Sequence, residues 1–128
     1  MASSIPNKDF VVRAAAILTT GEVAGIDFDL NSAWGSLAEV QIDFTLGSLT
    51  NGIFRFYASQ DGVTYYPLES FAGGGAASVS RTYTANTTSM IPVIAPGSKF
   101  LRVSVQGTGT VTSSSAAVRL RYLRRGSQ

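Results

Sequence analysis

Apolar and polar side chains alternate with a period of two along most of this chain. The plainest segment is residues 38–46, where Val40, Ile42, Phe44 and Leu46 alternate with Glu39, Gln41, Asp43 and Thr45. This period places the apolar set on one face of a β-strand. The same reasoning predicts strands at residues 22–30, 79–84, 99–106 and 116–124, and a short strand interrupted by Pro92 at residues 90–94. In residues 22–30 it puts Ile26, Phe28 and Leu30 on one face. The alanines of residues 10–18 are compatible with a helix, but the length of nine residues before Thr19-Thr20-Gly21 favours a strand.

Residues 52–68 predict a β-hairpin, the best-specified element of the sequence. In its first arm Phe54, Phe56 and Ala58 share one face, and Ile53, Arg55 and Tyr57 share the other. Asp61-Gly62 supplies the turn, because glycine can take the positive φ that a tight hairpin needs. Tyr65 and Tyr66 then point to opposite faces, and Pro67 indicates an edge position or a strand end.

These segments predict an all-β, antiparallel β-sandwich with about eight or nine short strands, jelly-roll-like, without a substantial helix. We expect one domain at residues 10–128, preceded by an N-terminal arm at residues 1–9. Trp34 is expected to lie in a loop at residues 31–36. The core between the two sheets is predicted from the shared period of two: Val40, Ile42, Phe44, Phe54, Phe56, Leu101, Val103, Val105, Val118 and Leu120.

The composition narrows the chemistry that the chain can perform. It has no histidine, which is the commonest general base near neutral pH and the commonest transition-metal ligand. It also has no cysteine, so thiolate chemistry is excluded. Serine is plentiful, but no nucleophile-elbow motif surrounds it. Asp27, Asp29 and Asp43 could form a cluster for a hard cation, although alternation also explains them as solvated faces. We therefore expect no enzyme activity, no cofactor and no required metal.

Charge is distributed unevenly along the chain. All eight acidic residues lie before residue 70, whereas seven of the ten basic residues lie after it. Three interpretations remain open: acidic and basic strands paired within one sheet, complementary surfaces between subunits, and, least favoured, a nucleic-acid surface. No apolar run is long enough to cross a bilayer, so no membrane partner is expected.

Two sets of residues are candidates for contacts with partners. Subunit or shell contacts are predicted for a set of arginines and carboxylates: Arg119, Arg121, Arg124, Arg125, Asp27, Asp29 and Glu39. An aromatic contact surface is predicted for Trp34, Tyr57, Tyr65 and Tyr66. Such rings can stack on sugars, although aromatic residues on strands more often belong to a core or an interface.

Residues 54–67 and 100–112 resemble known proteins. The first stretch, FRFYASQDGVTYYP, is similar to a hairpin of small structural proteins of tailed bacteriophages, and the second, FLRVSVQGTGTVT, resembles a late strand and turn of the same proteins. Tyr65 occupies a position at which these phage proteins commonly have tryptophan.

The resemblance implies a β-sandwich virion protein of the capsid decoration (cement) or head-fibre type. Its partners would be further copies of itself, most simply in a trimer, and the major capsid protein or other virion proteins. It would reside in the virion after assembly in the host cytoplasm. The alternative is a carbohydrate-binding module of a phage fibre or a secreted protein.

Overall fold

The computed structural model describes residues 7–72, 75–78, 80–94 and 98–124. Within these residues, helical structure is confined to a 3₁₀ turn at Leu30–Ser32, and no helix has the length and apolar character needed to span a membrane. The twelve described strands are β1 (Asn7–Ala16), β2 (Val23–Ala24), β3 (Phe28–Asp29), β4 (Ala33–Thr45), β5 (Leu49–Ser59), β6 (Tyr66–Pro67), β7 (Glu69–Ala72), β8 (Gly75–Ser78), β9 (Ser80–Tyr83), β10 (Thr87–Ile94), β11 (Phe100–Gly109) and β12 (Ser115–Arg124).

The strands form two antiparallel sheets that pack into a sandwich. The first sheet has the order β1-β12-β4-β10. In the second, β11 pairs with β2 and β3 on one side and with β5 on the other, and β5 pairs in turn with β6 and β9. The short strands β7 and β8 pair with each other. The predicted all-β sandwich is confirmed.

The connectivity is that of a jelly roll. The strands β2 and β3 both pair with the same side of β11, and β6 and β9 both pair with the same side of β5, so each of these two sets counts as one strand position. Together with β1, β4, β5, β10, β11 and β12 they make eight strand positions. The two sheets then read 1-8-3-6 and 2-7-4-5 in chain order. Successive positions alternate between the sheets except at the β5–β6 hairpin. This winding explains why the period of two runs through nearly every strand, since each has one face toward the shared core.

The core lies between the two sheets, and all ten predicted core residues are buried. The rings of Phe44 from the first sheet and Phe54 from the second meet edge to face at 5.8 Å between centroids. Tyr83 packs against both rings at 6.1 and 5.7 Å. Each aromatic contact of this kind adds to the stabilisation from apolar burial.

The predicted continuous strand at residues 22–30 is wrong, because it is interrupted between β2 and β3, which both pair with β11. The Gly25 amide donates to the Val103 carbonyl of β11 at 2.9 Å, whereas the next amide, Ile26, donates to the Val12 carbonyl of β1 at 2.8 Å. A Cβ on Gly25 would lie 2.5 Å from Val12 Cγ1. This change of hydrogen-bond partner interrupts the alternation and leaves Ile26 61% exposed, while Phe28 and Leu30 are buried as predicted.

Two predicted boundaries also move. Strand β1 begins at Asn7, so residues 7–9 of the predicted arm pair with β12; residues 1–6 lie outside the described residues. Strand β4 begins at Ala33, where its backbone lies opposite Arg124 of β12. The predicted loop at residues 31–36 is therefore mostly strand, because cross-strand hydrogen bonding extends pairing beyond the alternating segment.

The predicted hairpin is present, with a wider turn than expected. Strand β6 pairs with β5 only at two positions, and residues 60–65 form the loop between them. Pro67 lies in β6 at the edge of the second sheet, as predicted, and Gly62 takes a φ of +77°.

Side chains organise this loop. The Ser59 hydroxyl, which is buried, accepts from the amides of Asp61 and Gly62 at 3.2 and 2.9 Å. The Asp61 carboxylate accepts from the amides of Val63 and Thr64 at 2.8 and 2.9 Å. Local side-chain acceptors of this kind substitute for a two-residue turn.

Candidate functional site

Polar side chains converge on the outer face of the second sheet. In β11 the residues on either side of buried Val103, Arg102 and Ser104, point away from the core. In β5 the same alternation turns Arg55 and Tyr57 outward. The antiparallel register sets Arg102 opposite Tyr57 and Ser104 opposite Arg55, so the four side chains are neighbours.

Glu22, which precedes β2, closes one side of this group. Its Oε2 accepts hydrogen bonds from the Tyr57 hydroxyl at 2.5 Å and from the Ser104 hydroxyl. Its Oε1 lies 3.4 Å from Arg55 Nη1. The same Arg55 nitrogen donates to Gln106 Oε1 at 2.6 Å, which ties the carboxylate to the next outward residue of β11.

Asp27, in the segment between β2 and β3, closes the other side. Arg102 donates to it twice, from Nε to Oδ1 at 2.8 Å and from Nη2 to Oδ2 at 3.0 Å. The Tyr65 hydroxyl donates to Oδ2 at 2.8 Å. The Arg102 guanidinium also lies over the Tyr65 ring, with Cζ 3.8 Å from the ring centroid. This geometry combines a bidentate ion pair with a cation–π contact.

The network fixes the protonation of its members. Hydrogen bonds from Arg102 hold the pKa of Asp27 below its ordinary value. Partial burial opposes ionisation of Glu22, but hydrogen bonds from Ser104 and Tyr57 and the charge of Arg55 outweigh it and lower its pKa. Partial burial and the bond to Asp27 raise the pKa of Tyr65 to about 12. At neutral pH both carboxylates therefore accept and the tyrosine donates.

Together these side chains enclose a shallow cleft of about 350 Å³. It is lined by Glu22, Ala24, Tyr57, Tyr65, Arg102 and Ser104. The two carboxylates around it are balanced by two guanidinium groups, Arg55 and Arg102. Carboxylates with a lowered pKa are weak general bases at neutral pH, so the arrangement suits binding better than proton transfer.

The predicted aromatic surface is assembled in part. Tyr57 and Tyr65 line the cleft together. Tyr66, 68% exposed, lines a neighbouring depression of about 370 Å³ with Asp61 and Leu68. Trp34 belongs to the backbone of β4, but its side chain lies outside the described residues.

The predicted assembly residues fall in two places. On the outer face of the first sheet, Arg121 of β12 lies between Asp9 of β1 and Glu39 of β4. Its Nε is 3.3 Å from the Asp9 carboxylate, a pair within one sheet of the kind that the charge distribution allowed. Arg119 lies between Val11 and Gln41 in the adjoining row.

The predicted carboxylates Asp27 and Asp29 are not brought to β12. Asp27 is held by Arg102, and the Asp29 carboxylate accepts from the Asn31 amide at 2.9 Å. Arg124 belongs to the backbone of β12, but its side chain is not described, and Arg125 lies outside the described residues.

The three aspartates considered as a cation site are also separate in their contacts. Asp43 lies on the first sheet, where its carboxylate accepts from the Gln41 amide group at 3.1 Å. Asp27 and Asp29 lie beside the second sheet. In the described part of the chain, no group of three or more His, Cys, Asp and Glu side chains is arranged to hold a metal.

Sequence reasoning did not single out Glu22, Arg55, Arg102 and Ser104 as site residues. The alternation does place Arg102 and Ser104 on the outward face of β11 and Arg55 beside Tyr57 on β5. The register between these two strands was the missing signal, because it decides which outward side chains are adjacent.

Comparisons with known proteins identify the fold. No protein-family model and no curated protein sequence matches the chain significantly. Among solved structures, the crystal structure of the SPBc2 prophage-derived protein YomS is similar, with a TM-score of 0.58. The match covers 94% of this chain and 96% of YomS, at 16% sequence identity. At that identity the likeness establishes a shared fold over nearly the whole of both chains.

Proposed function

We propose that this chain is a non-enzymatic structural protein of a tailed-bacteriophage virion. In the specific form of the proposal it is a capsid decoration (cement) protein that self-associates and binds the capsid shell. The observation that carries this proposal is the jelly roll shared with a prophage-derived protein across 94% of the chain and 96% of that protein. The hairpin at residues 52–68, whose sequence resembles phage structural proteins, forms as predicted and supports the same assignment.

The outer face of the first sheet supplies the proposed self-association surface. Cross-strand register creates two adjacent rows, one of Asp9, Arg121, Glu39 and Pro92 and one of Val11, Arg119, Gln41 and Met90. Val11 and Met90 are each 42% exposed, and they lie at the two ends of the row that contains Arg119. Exposed apolar side chains combined with arginine are typical of protein interfaces.

Charge on this face favours a second copy as the partner. Arg119 and Arg121 project from β12, and the exposed carboxylates Glu39 and Asp29 lie on different elements. We propose that the arginines of one copy pair with Asp29 or Glu39 of the next, most simply in a trimer, because a head-to-tail contact closes into a ring. Asp27 is excluded from this role, since Arg102 holds it within the chain.

The proposed oligomer would add to the major capsid protein and reside in the virion. Decoration needs neither a catalytic centre nor a cofactor. The lowered pKa values of Glu22 and Asp27 agree with a structural protein, because neither carboxylate is tuned for proton transfer near neutral pH.

Size-exclusion chromatography with multi-angle light scattering tests the self-association. A trimer would have three times the 13.5 kDa mass of the chain. The double variant Arg119→Ala and Arg121→Ala should shift the equilibrium toward the monomer. The matched control is Arg81→Ala, an exposed arginine on β9 at the edge of the second sheet. A monomeric wild type, or a double variant that assembles like wild type, would refute the proposed interface.

A further inference from the structure

The cleft on the outer face of the second sheet shares no lining residue with the proposed assembly surface. It combines features of a ligand site: a concave shape, two tyrosines and a set of polar groups held in fixed positions. Its volume of about 350 Å³ falls at the lower end of the range for small-molecule sites. It is therefore large enough for a small ligand or for one end of a longer one.

The charges around the cleft argue against an ionic ligand. Glu22 and Asp27 are negative, and Arg55 and Arg102 are positive, so the four charges cancel. Each is already paired within the chain, Glu22 with Arg55 and Asp27 with Arg102. An anion would have to compete with a carboxylate for each guanidinium, and a cation would have to compete with a guanidinium for each carboxylate. The electrostatic balance favours an uncharged ligand.

The hydrogen-bonding groups argue for a ligand rich in hydroxyl groups. A carboxylate offers about four acceptor positions. Among the described contacts, Asp27 accepts three hydrogen bonds, two from Arg102 and one from Tyr65. Glu22 also accepts three hydrogen bonds, one each from Tyr57, Ser104 and Arg55. The side chains of both carboxylates remain about one third exposed, at 36% for Glu22 and 29% for Asp27.

The aromatic rings supply an apolar surface on which a sugar ring can pack. Tyr57 and Tyr65 are half-buried in the lining, and their hydroxyl groups are anchored to Glu22 and Asp27. A ring held in place in this way can contact the C–H face of a sugar without losing rotational freedom on binding. Glu22, which also lines the cleft, can accept a hydrogen bond from a sugar hydroxyl group.

We propose that this cleft binds a neutral saccharide, with Tyr57 and Tyr65 contacting the sugar ring and Glu22 accepting from its hydroxyl groups, while Asp27 holds Tyr65 and Arg102 in position. This inference does not depend on binding to a capsid shell. A decoration protein and a soluble monomer could each carry the site, so its test and the assembly test can fail separately.

The experiment applies the purified full chain to an array of neutral and acidic oligosaccharides, followed by titration calorimetry with the best neutral binder. Soluble monosaccharides then compete, which shows whether one sugar ring suffices or an extended surface glycan is needed. Tyr65→Ala should weaken binding about tenfold or more, because it removes the ring and the donor to Asp27. Tyr66→Ala is the matched control, since this neighbouring tyrosine lies outside the cleft and should leave binding unchanged.

A second variant keeps the test valid if Tyr65→Ala does not fold. Ala24 lines the cleft from an exposed position on β2, so Ala24→Leu should fill the cleft without disturbing the core. It should weaken binding to a similar degree while its thermal unfolding stays close to that of wild type. The proposal is overturned if wild type binds no neutral glycan, if it binds only acidic glycans, or if Ala24→Leu and Tyr65→Ala bind like wild type.

Discussion

Arg102 and Asp27 form a bidentate ion pair on the outer face of the second sheet, although they lie 75 positions apart in the chain. Their side chains are 33% and 29% exposed, compared with 45% and 52% for the Arg121–Asp9 pair on the first sheet. The Arg102–Asp27 pair fastens the segment between β2 and β3 to the central strand β11. Because Arg102 also lines the cleft, the pair links the candidate site to the fold.

Asp27→Asn should destabilise the chain by about 1–2 kcal/mol, because it removes a partly shielded charge from a bidentate pair. The matched change Asp9→Asn should cost less than about 1 kcal/mol, since its pair with Arg121 is more exposed. Urea unfolding at neutral pH measures both values. Equal losses for the two variants would show that burial does not distinguish the pairs.

The contribution of Asp27 should depend on pH in a defined direction. Its pKa in the folded chain lies below the ordinary value of 3.8, chiefly because Arg102 donates to the carboxylate. The stabilisation is therefore complete above the ordinary pKa and is lost as the pH falls through the lowered one. We expect the difference in unfolding free energy between wild type and Asp27→Asn to shrink below about pH 4. A difference that stays constant down to pH 2.5 would contradict this assignment.

Ser59→Ala should destabilise the chain by about 1–2 kcal/mol, because it removes a buried hydroxyl to which two amides of the loop donate. The Ser59 side chain is 3% exposed, and its hydroxyl accepts from two amides and donates to Asp61 at 3.0 Å. Ser80→Ala, at an exposed position of β9, should change stability by less than about 0.5 kcal/mol. Chemical denaturation compares them, and a Ser59→Ala loss no larger than the control would refute the role of the hydroxyl.

Phe44→Ala should cost about 3–5 kcal/mol, because the ring is 3% exposed and packs between the two sheets. Its contacts with the rings of Phe54 and Tyr83 would be lost together. Val63→Ala provides the contrast, since Val63 is 82% exposed and should change stability by less than about 0.5 kcal/mol. A loss below about 1 kcal/mol for Phe44→Ala would place the ring outside the core.

Sequence reasoning could predict the core because every long strand has one face toward it. Val40, Ile42 and Phe44 follow the period of two and are buried. The same rule failed at Ile26, between β2 and β3, where strand pairing with β11 is interrupted and the alternation no longer reports a single face. That interruption depends on backbone hydrogen bonds to Val12 and Val103, which no local pattern encodes.

The candidate site was only partly predictable for a related reason. Tyr57 and Tyr65 could be marked as aromatic contacts from the hairpin alone. Their partners, Glu22 and Asp27, reach them through contacts across 35 and 38 positions of sequence. Such pairings follow from the jelly-roll winding and from the register between β5 and β11. Both are set by the whole fold rather than by neighbouring residues.

The proposal that this chain decorates a phage capsid is tested most directly by adding it to empty capsids of a tailed phage whose genome carries this sequence. Purified chain would be mixed with capsids lacking it, and the bound amount measured by sedimentation and quantitative gel analysis. The account predicts saturable binding at a fixed ratio to the major capsid protein, weakened by the double variant Arg119→Ala and Arg121→Ala but not by Arg81→Ala. An absence of wild-type binding, or binding that rises without saturation, would contradict it.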